Sequence, residues 1–147
     1  MAAWDQGDLF LVPCLDGSHL VAQVLQKKAL PDGVCLCAFT NRPHVSGAVA
    51  PLTVDEAISV VFTDASLLND GTWAIVGLEP IPRHAHFDTP RHMFMDDEPK
   101  APAVIEAFLN AYLGLYPWDA FGEGFFEALL LEGREVPATI RLQASFK

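Results

Sequence analysis

Basic residues are scarce in this chain: nine lysines and arginines stand against nineteen aspartates and glutamates, which gives a formal net charge of −10. No stretch is rich in lysine or arginine, so the sequence lacks the electrostatic signature of direct nucleic-acid binding. The same acidic excess would speed the encounter with a basic protein. An excess of this size can also simply aid solubility, so the charge by itself predicts only that the chain has no nucleic-acid partner.

Cysteines and long apolar runs are also few. Three cysteines, an odd number, do not indicate a disulfide framework; we expect Cys14, Cys35 and Cys37 to be buried free thiols, the last two on opposite faces of a strand. No segment has the roughly 18 uninterrupted apolar residues of a membrane-spanning helix, and the start, MAAWDQGD, lacks the pattern of a secretion signal. We expect a cytoplasmic protein with no membrane partner.

Motifs that would carry catalysis are missing as well. The chain has no Gly-x-Ser-x-Gly nucleophile elbow. Gly122 and Gly124 form only a GEG fragment, without the βα unit or the Lys-Ser/Thr pair of a phosphate-binding loop. We therefore predict no catalytic residues, no enzymatic activity and no cofactor.

One histidine cluster leaves an enzymatic alternative open. In RHAHFDTPRH, alternate positions of an extended segment share a face, so His84, His86 and Asp88 could converge on one metal ion, with His92 reaching in from beyond Pro90. The stretch is flanked by proline and lacks the helical His-Glu-x-x-His spacing of zinc hydrolases. Polar loop residues are the preferred interpretation, and a metal-dependent enzyme is the alternative.

What the sequence does contain is the alternation of apolar residues that is typical of strands. The chain is 51% hydrophobic and is expected to form a single domain over residues 1–147 with its own core. The stretch GDLFLVPCLDGSHLVAQVL alternates on both sides of Asp16-Gly17 and predicts a hairpin. The apolar run VCLCAF then predicts a buried central strand.

Further signals extend this β-rich part to about residues 7–95. Thr53 and Glu56 have the spacing of a capping box and predict one helical turn. Strands are expected from about Ile58 to Thr63 and from Trp73 to Val76, which gives a curled antiparallel sheet or a small barrel-like meander. Four aromatic residues are expected to fill its core: Trp4, Phe10, Phe39 and Trp73.

Residues from about 100 to 147 are expected to cover the sheet, so that the fold class is α+β. KAPAVIEAFLNAYLGLYP carries Ile105, Phe108, Leu109 and Tyr112 at helical spacing and is the clearest helix of the sequence. A weaker helix is expected in WDAFGEGFFEALLLEG, with Asp119 as its cap. VPATIRLQ would form a last strand.

Two features suggest where a partner would bind. MDDEP places Asp96, Asp97 and Glu98 in succession, without the alternating ligands of a calcium loop, and could be either a solvated turn or a contact for a cationic partner. Trp118 lies between the two expected helices and could anchor an interface. These four are the candidate partner-binding residues.

The first ninety residues resemble the immunity protein 26 family. GDLFLVPCLDGSHLVAQVL looks like its opening motif, and LLNDGTWAIVGLEPIP is similar to its later segment, in which Gly-x-Trp leads a strand into a proline-rich exit. Phe87 is similar to an aromatic residue that follows there. The resemblance implies that six positions maintain the fold: Gly7, Asp8, Pro13, Gly17, Trp73 and Gly77.

The resemblance also implies a function. It suggests a cytoplasmic bacterial protein that binds and neutralises a cognate toxin of a polymorphic toxin system without catalysis. A net charge of −10 would suit a partner with a basic cleft, such as a nuclease. Besides the metal-dependent enzyme, a general peptide- or protein-interaction module remains as an alternative, and it predicts modest affinity for several partners.

Overall fold

The chain forms an α+β fold built on one open antiparallel sheet. The computed structural model describes residues 4–27, 33–45, 47–83, 99–131 and 133–146. The strands are β1 (Asp8–Pro13), β2 (His19–Lys27), β3 (Val34–Pro43), β4 (Ala57–Asp64) and β5 (Ile75–Leu78). The helices are α1 (Ser66–Asn69) and α2 (Pro102–Tyr112), and short 3-10 turns span Val54–Glu56, Glu127–Leu129 and Gln143–Ser145.

The strand order across the sheet is β4-β3-β2-β1-β5, and all neighbouring pairs are antiparallel. Strands β1 to β4 thus form a meander, and β5 returns to the outer side of β1. The predicted hairpin at Asp16-Gly17 is confirmed: Leu9 pairs with Gln23 and Pro13 with His19. Gly17 has a φ of +86°, a backbone conformation that glycine adopts without strain.

Alternation along the strands sorts apolar side chains onto the two faces of the sheet. Phe10 and Val12 belong to the cluster that packs against α2, whereas Leu9 and Leu11 lie in a separate cluster with Leu52. Strand β3 is buried without interruption from residue 34 to residue 40, as expected for an inner strand that is covered on both faces. Both faces of the sheet are therefore covered by apolar contacts.

Three aromatic rings form the centre of the core on the α2 side. Phe10, Phe39 and Trp73 are all fully buried. The Trp73 ring stacks on Phe10 at 5.4 Å between centroids and meets Phe39 edge-on at 5.8 Å. Trp4 is only half-buried, and its Nε1 donates a hydrogen bond to Asn69 Oδ1 at 2.6 Å. Three of the four expected core aromatics are thus in the core, and Trp4 packs at its margin.

Helix α2 is present where the sequence predicted it, and its apolar side is formed by Ile105, Phe108 and Leu109. Pro102 occupies its first turn, where the missing amide hydrogen has no partner to lose. The predicted helical turn at Val54–Glu56 is also confirmed, with the capping box between Thr53 and Glu56. No helix in the described parts of the chain is long and apolar enough to cross a membrane.

The second C-terminal helix and the last strand were wrong predictions. Residues 113–131 form turns and the single 3-10 turn Glu127–Leu129, since Gly122 and Gly124 take φ values of +113° and +78° that interrupt a right-handed helix. Among residues 133–146 the one trace of pairing is an isolated bridge between Pro117 and Arg141. We call residues 113–146 the C-terminal coil.

The cysteine prediction was right about burial and wrong about direction. Cys14, Cys35 and Cys37 are buried free thiols. Cys35 and Cys37 share one face of β3, with their Sγ atoms 3.4 Å apart, because residues two apart on a strand point the same way.

Candidate functional site

Several of the predicted site residues lie outside the described residues. These are the metal candidates His84, His86, Asp88 and His92 and the acidic candidates Asp96, Asp97 and Glu98. Within the described ranges, no group of three or more His, Cys, Asp or Glu side chains could hold a metal ion. Both assignments therefore stay predictions from the sequence.

At two of the predicted motif positions, Gly7 and Gly17, the backbone conformation favours glycine. Gly7 has a φ of +93°, and a Cβ placed there would lie 3.0 Å from Leu78 Cδ1 and 3.3 Å from the Glu79 carbonyl oxygen. Its carbonyl accepts a hydrogen bond from Gln23 Nε2 at 3.1 Å, so β1, β2 and the end of β5 meet at this point. Gly17 occupies the tight turn described above.

The other four motif positions also lie in the sheet or its core. Asp8 begins β1, and its Oδ2 accepts the Asp5 amide at 2.7 Å. Pro13 ends β1, and Gly77 pairs with Leu9. Trp73 is at the centre of the core, and its Nε1 donates to Glu106 Oε2 at 3.2 Å. All six residues lie in the sheet, in its turns or in its core. Their membership of a family motif remains a prediction.

Trp118 is the predicted contact residue that the structure does describe. It is 5% exposed, and its ring lies 5.5 Å from Phe126 and 6.0 Å from Phe108 of α2. Its Nε1 donates to Glu127 Oε1 at 3.3 Å, and its amide donates to the Arg141 carbonyl at 2.8 Å. Trp118 thus fastens the C-terminal coil to α2, and it is also one of the residues that line a pocket.

That pocket is lined by Trp118, by three carboxylate side chains, by two glycines and by one leucine, with a volume of about 390 Å³. The lining residues are Trp118, Asp119, Gly122, Glu123, Gly124, Glu127 and Leu142. The glycines carry no side chain, and a Cβ at either would meet nothing within 4 Å, so the backbone is open to a ligand there.

Hydrogen bonds across the C-terminal coil hold the pocket together. Asp119 Oδ1 accepts the Gln143 amide at 2.8 Å, and the Asp119 carbonyl accepts Gln143 Nε2 at 2.8 Å. This contact joins two segments more than twenty residues apart, and Leu142, the chain neighbour of Gln143, lines the pocket together with Glu123. The pocket is therefore a product of the tertiary structure.

Exposed aromatic rings flank the pocket. Phe121 is 46% and Phe125 40% exposed, and their centroids lie 5.3 Å apart. Leu142 on the wall is 49% exposed. We call the pocket together with Phe121 and Phe125 the C-terminal patch. It combines apolar surface with carboxylates, a pairing that suits an amphipathic cationic ligand.

One positive group lies beside this patch. The Arg141 guanidinium stacks over the Phe146 ring at 4.4 Å, and its Nη2 donates to the Ser145 carbonyl at 2.9 Å. Arg141 is thus engaged with its own segment and does not line the pocket. Three carboxylates outnumber this one guanidinium, so the patch keeps a negative balance.

The buried thiols are poorly suited to nucleophilic chemistry. Burial raises the pKa of the Cys37 thiol well above its usual value, and burial likewise raises the pKa of the Cys14 thiol. Thiols with raised pKa values stay protonated at neutral pH and react slowly. The cysteines are therefore core residues in this fold.

A second, shallower groove lies at the β1–β5 edge of the sheet. It has a volume of about 490 Å³ and is lined by Gln6, Gly7 and the segment from Leu78 to Ile81. Its walls are mostly apolar, with Leu78 67% exposed, and Glu79 is its acidic residue. Beneath it, Gln23 Nε2 donates to the Gly7 and Glu79 carbonyls at 3.1 and 2.8 Å.

The sequence predicts Trp118 as a contact residue but not the three acidic residues that line the pocket with it. Asp119 is expected to cap a second helix, yet with Glu123 and Glu127 it lines the pocket. The acidic residues of DAFGEGFFE recur every four positions, which is the spacing of one helix face, so their pattern did not indicate a pocket; Gly122 and Gly124 were the only local departure from a helical pattern.

Comparison with known proteins adds no relative: no family model matches the sequence, and no curated protein or solved structure does either. The resemblance to the immunity protein 26 family therefore depends on the motif residues alone.

Proposed function

We propose that this protein neutralises a toxin by stoichiometric, non-catalytic binding, and that the toxin is a basic protein such as a nuclease. The observation that carries the proposal is a large, unneutralised negative charge. Within the described ranges, Arg42–Glu56 is the one salt bridge. Eight other carboxylates there are exposed: Asp5, Asp16, Asp55, Asp64, Asp70, Glu123, Glu127 and Glu135.

These exposed negative charges favour a basic partner for a physical reason. Exposed charges of one sign raise the rate at which an oppositely charged protein arrives, and they repel nucleic acid and anionic surfaces. In a toxin that cleaves nucleic acid, a basic cleft would serve the substrate, and an acidic inhibitor could occupy it. The motif resemblance in the first ninety residues supports toxin neutralisation, whereas the basic character of the toxin is inferred from charge alone.

Affinity capture of the tagged protein from its own cells, followed by mass spectrometry, tests the proposal. We expect one stoichiometric basic partner at low salt, weaker retention at about 0.5 M salt because salt screens exposed charges, and toxicity when that partner is expressed alone. Co-expression with this protein should restore growth.

Two results would contradict the proposal. Retention of several partners at modest affinity would favour a general interaction module. A stoichiometric metal ion in the native mass spectrum, with no protein partner, would favour an enzyme that uses the histidine cluster.

A further inference from the structure

Exposed apolar surface and uncompensated carboxylates coincide in the C-terminal patch. The exposed rings of Phe121 and Phe125 lie 5.3 Å apart, and the half-exposed Leu142 lines the pocket. Asp119, Glu123 and Glu127 line the same pocket. A ligand for this surface must therefore bring both apolar groups and positive charge.

The patch is held in place before any ligand arrives. Trp118 and Phe126 are buried against Phe108 of α2, and the Phe126 ring lies 5.4 Å from Phe121 and 5.7 Å from Phe125. Exposed rings that rest on buried rings lose little conformational freedom on binding. The patch thus has the preorganisation that is typical of interface hot spots.

Charge decides between the occupants that an apolar patch could take. A second copy of this chain would bring its own net charge of −10 and would place carboxylates against carboxylates. Nucleic acid and anionic lipid are repelled for the same reason. A basic segment of another protein is the occupant whose charge complements the patch.

We propose that the C-terminal patch is the docking surface for a cationic, apolar segment of a partner protein, and that an arginine or lysine side chain of that segment enters the pocket beside Trp118. Three acidic residues line the pocket for the cation, and the exposed side chains of Phe121, Phe125 and Leu142 offer apolar surface for its aliphatic stem. This inference rests on the proposed function, since it names the surface through which the basic partner is held.

A peptide titration tests the surface directly. The probe is a short synthetic peptide in which arginines alternate with leucines, added to the isotope-labelled full chain and followed by two-dimensional NMR. We expect the largest shifts at the Gly122 and Gly124 amides and at the Trp118 indole, which Trp118→Phe would assign. The same peptide with glutamates in place of arginines should leave these signals unchanged.

Matched variants separate local contacts from overall charge. Phe125→Ala should weaken peptide binding about tenfold, as truncation of an aromatic anchor does, whereas Leu15→Ala, which alters an apolar side chain that is 68% exposed in the β1–β2 turn, should not. Glu123→Gln should weaken it about threefold, and Glu135→Gln, with the same loss of charge away from the pocket, should have a smaller effect. Each variant's fold is checked by its amide spectrum.

Three results would overturn the inference. Shifts that centre on Gly7 and Leu78 would place the cationic segment at the β1–β5 groove. Equal effects of Glu123→Gln and Glu135→Gln would show attraction without a site. Line broadening that grows with protein concentration and disappears in Phe125→Ala would show that the patch joins two copies of this chain.

The inference and the proposed function can fail separately. Capture of the same basic partner by the wild type and by Phe125→Ala/Glu123→Gln with equal affinity would leave the function standing and overturn the patch. Peptide binding at the patch, without any basic partner in the cell, would do the reverse.

Discussion

Strands β1 to β4 pair side by side in the sheet, whereas residues 113–131 and 133–146 run as turns around two buried rings. In the sheet, nearly every apolar side chain from β1 to β3 is buried. In the C-terminal coil, Trp118 and Phe126 are buried while Phe121, Phe125 and Leu142 remain exposed. The aromatic side chains of the sheet are buried and stabilise the fold. Part of the apolar surface of the coil is exposed and accessible to a binding partner.

The difference has a physical origin in backbone hydrogen bonding. A strand satisfies its amides and carbonyls through its neighbours, so its side chains can all be used for packing on either face. A coil satisfies them through turns and side chains, as at Asp119 with Gln143 and at Thr139, whose Oγ1 donates to the Tyr112 carbonyl at 2.8 Å. Such a segment presents side chains in directions that a regular element does not allow.

The largest expected effect is the loss of stability when a buried aromatic residue of the sheet is truncated. Trp73→Ala removes a fully buried ring that contacts Phe10 and Phe39, and we expect it to lower the free energy of unfolding by about 3–5 kcal/mol, measured by urea denaturation. Phe125→Ala in the coil is the control and should lower it by about 1 kcal/mol. Equal losses would show that the coil's exposed aromatics are as structural as the core.

The next effect concerns a close backbone approach within the C-terminal coil, just after the end of α2. Gly114 has a φ of +81°, and a Cβ there would lie 2.5 Å from the Thr139 carbonyl oxygen. Gly114→Ala should therefore lower the free energy of unfolding by about 3 kcal/mol, from backbone strain and a clash together.

Gly124→Ala is its matched control. Gly124 has a similar φ of +78°, but a Cβ there meets nothing within 4 Å, so we expect a loss of about 1–2 kcal/mol from strain alone. A loss for Gly114→Ala no larger than this would mean that residues 133–146 move away without cost, and the coil would then be less firmly held than the structure indicates.

A smaller effect on stability is expected from the Arg42–Glu56 ion pair, beside the edge strand β4. Arg42 donates from Nε and Nη2 to the two carboxylate oxygens of Glu56, and from Nη1 to the Ala50 carbonyl at 2.6 Å. The hydrogen bond from Arg42 holds the pKa of Glu56 below its usual value. A double-mutant cycle with Arg42→Met and Glu56→Gln should give a coupling of about 1 kcal/mol at neutral pH.

The pH dependence of that coupling follows from the direction of the shift. Because the pKa of Glu56 is lower in the folded than in the unfolded state, its contribution is present above the unfolded value of about 4.3 and is lost as pH falls through the folded pKa. Denaturation series at decreasing pH should show the coupling disappear in this range. A coupling that persisted in acid would contradict a charge-based origin, and Asp55→Asn serves as the control for general acid effects.

The smallest effect is expected at the pocket wall. Leu142→Ser changes a side chain that is 49% exposed, so the free energy of unfolding should change by less than about 0.5 kcal/mol. Binding of the cationic peptide should nevertheless weaken in NMR titration, because the apolar wall is lost. A large loss of stability instead would identify Leu142 as part of the core.

Local patterns in the sequence were sufficient to predict the sheet and α2. Alternation around Asp16-Gly17, the apolar run of β3 and the helical spacing of Ile105, Phe108 and Leu109 all depend on neighbours in the chain, and the structure confirms them. These signals are strong because period and turn chemistry act within a few residues. The acidic composition is likewise a property of the sequence alone.

The C-terminal coil was decided by tertiary contacts. A helix over residues 118–131 is compatible with the apolar spacing, yet positive φ values at Gly122 and Gly124, the Asp119–Gln143 hydrogen bonds and the burial of Phe126 against Phe108 override it. These contacts join residues far apart in the chain, so no local pattern specifies them. The sequence by itself determined a charged α+β protein with a buried sheet, and only the tertiary structure placed Trp118, Glu123 and Leu142 around one pocket.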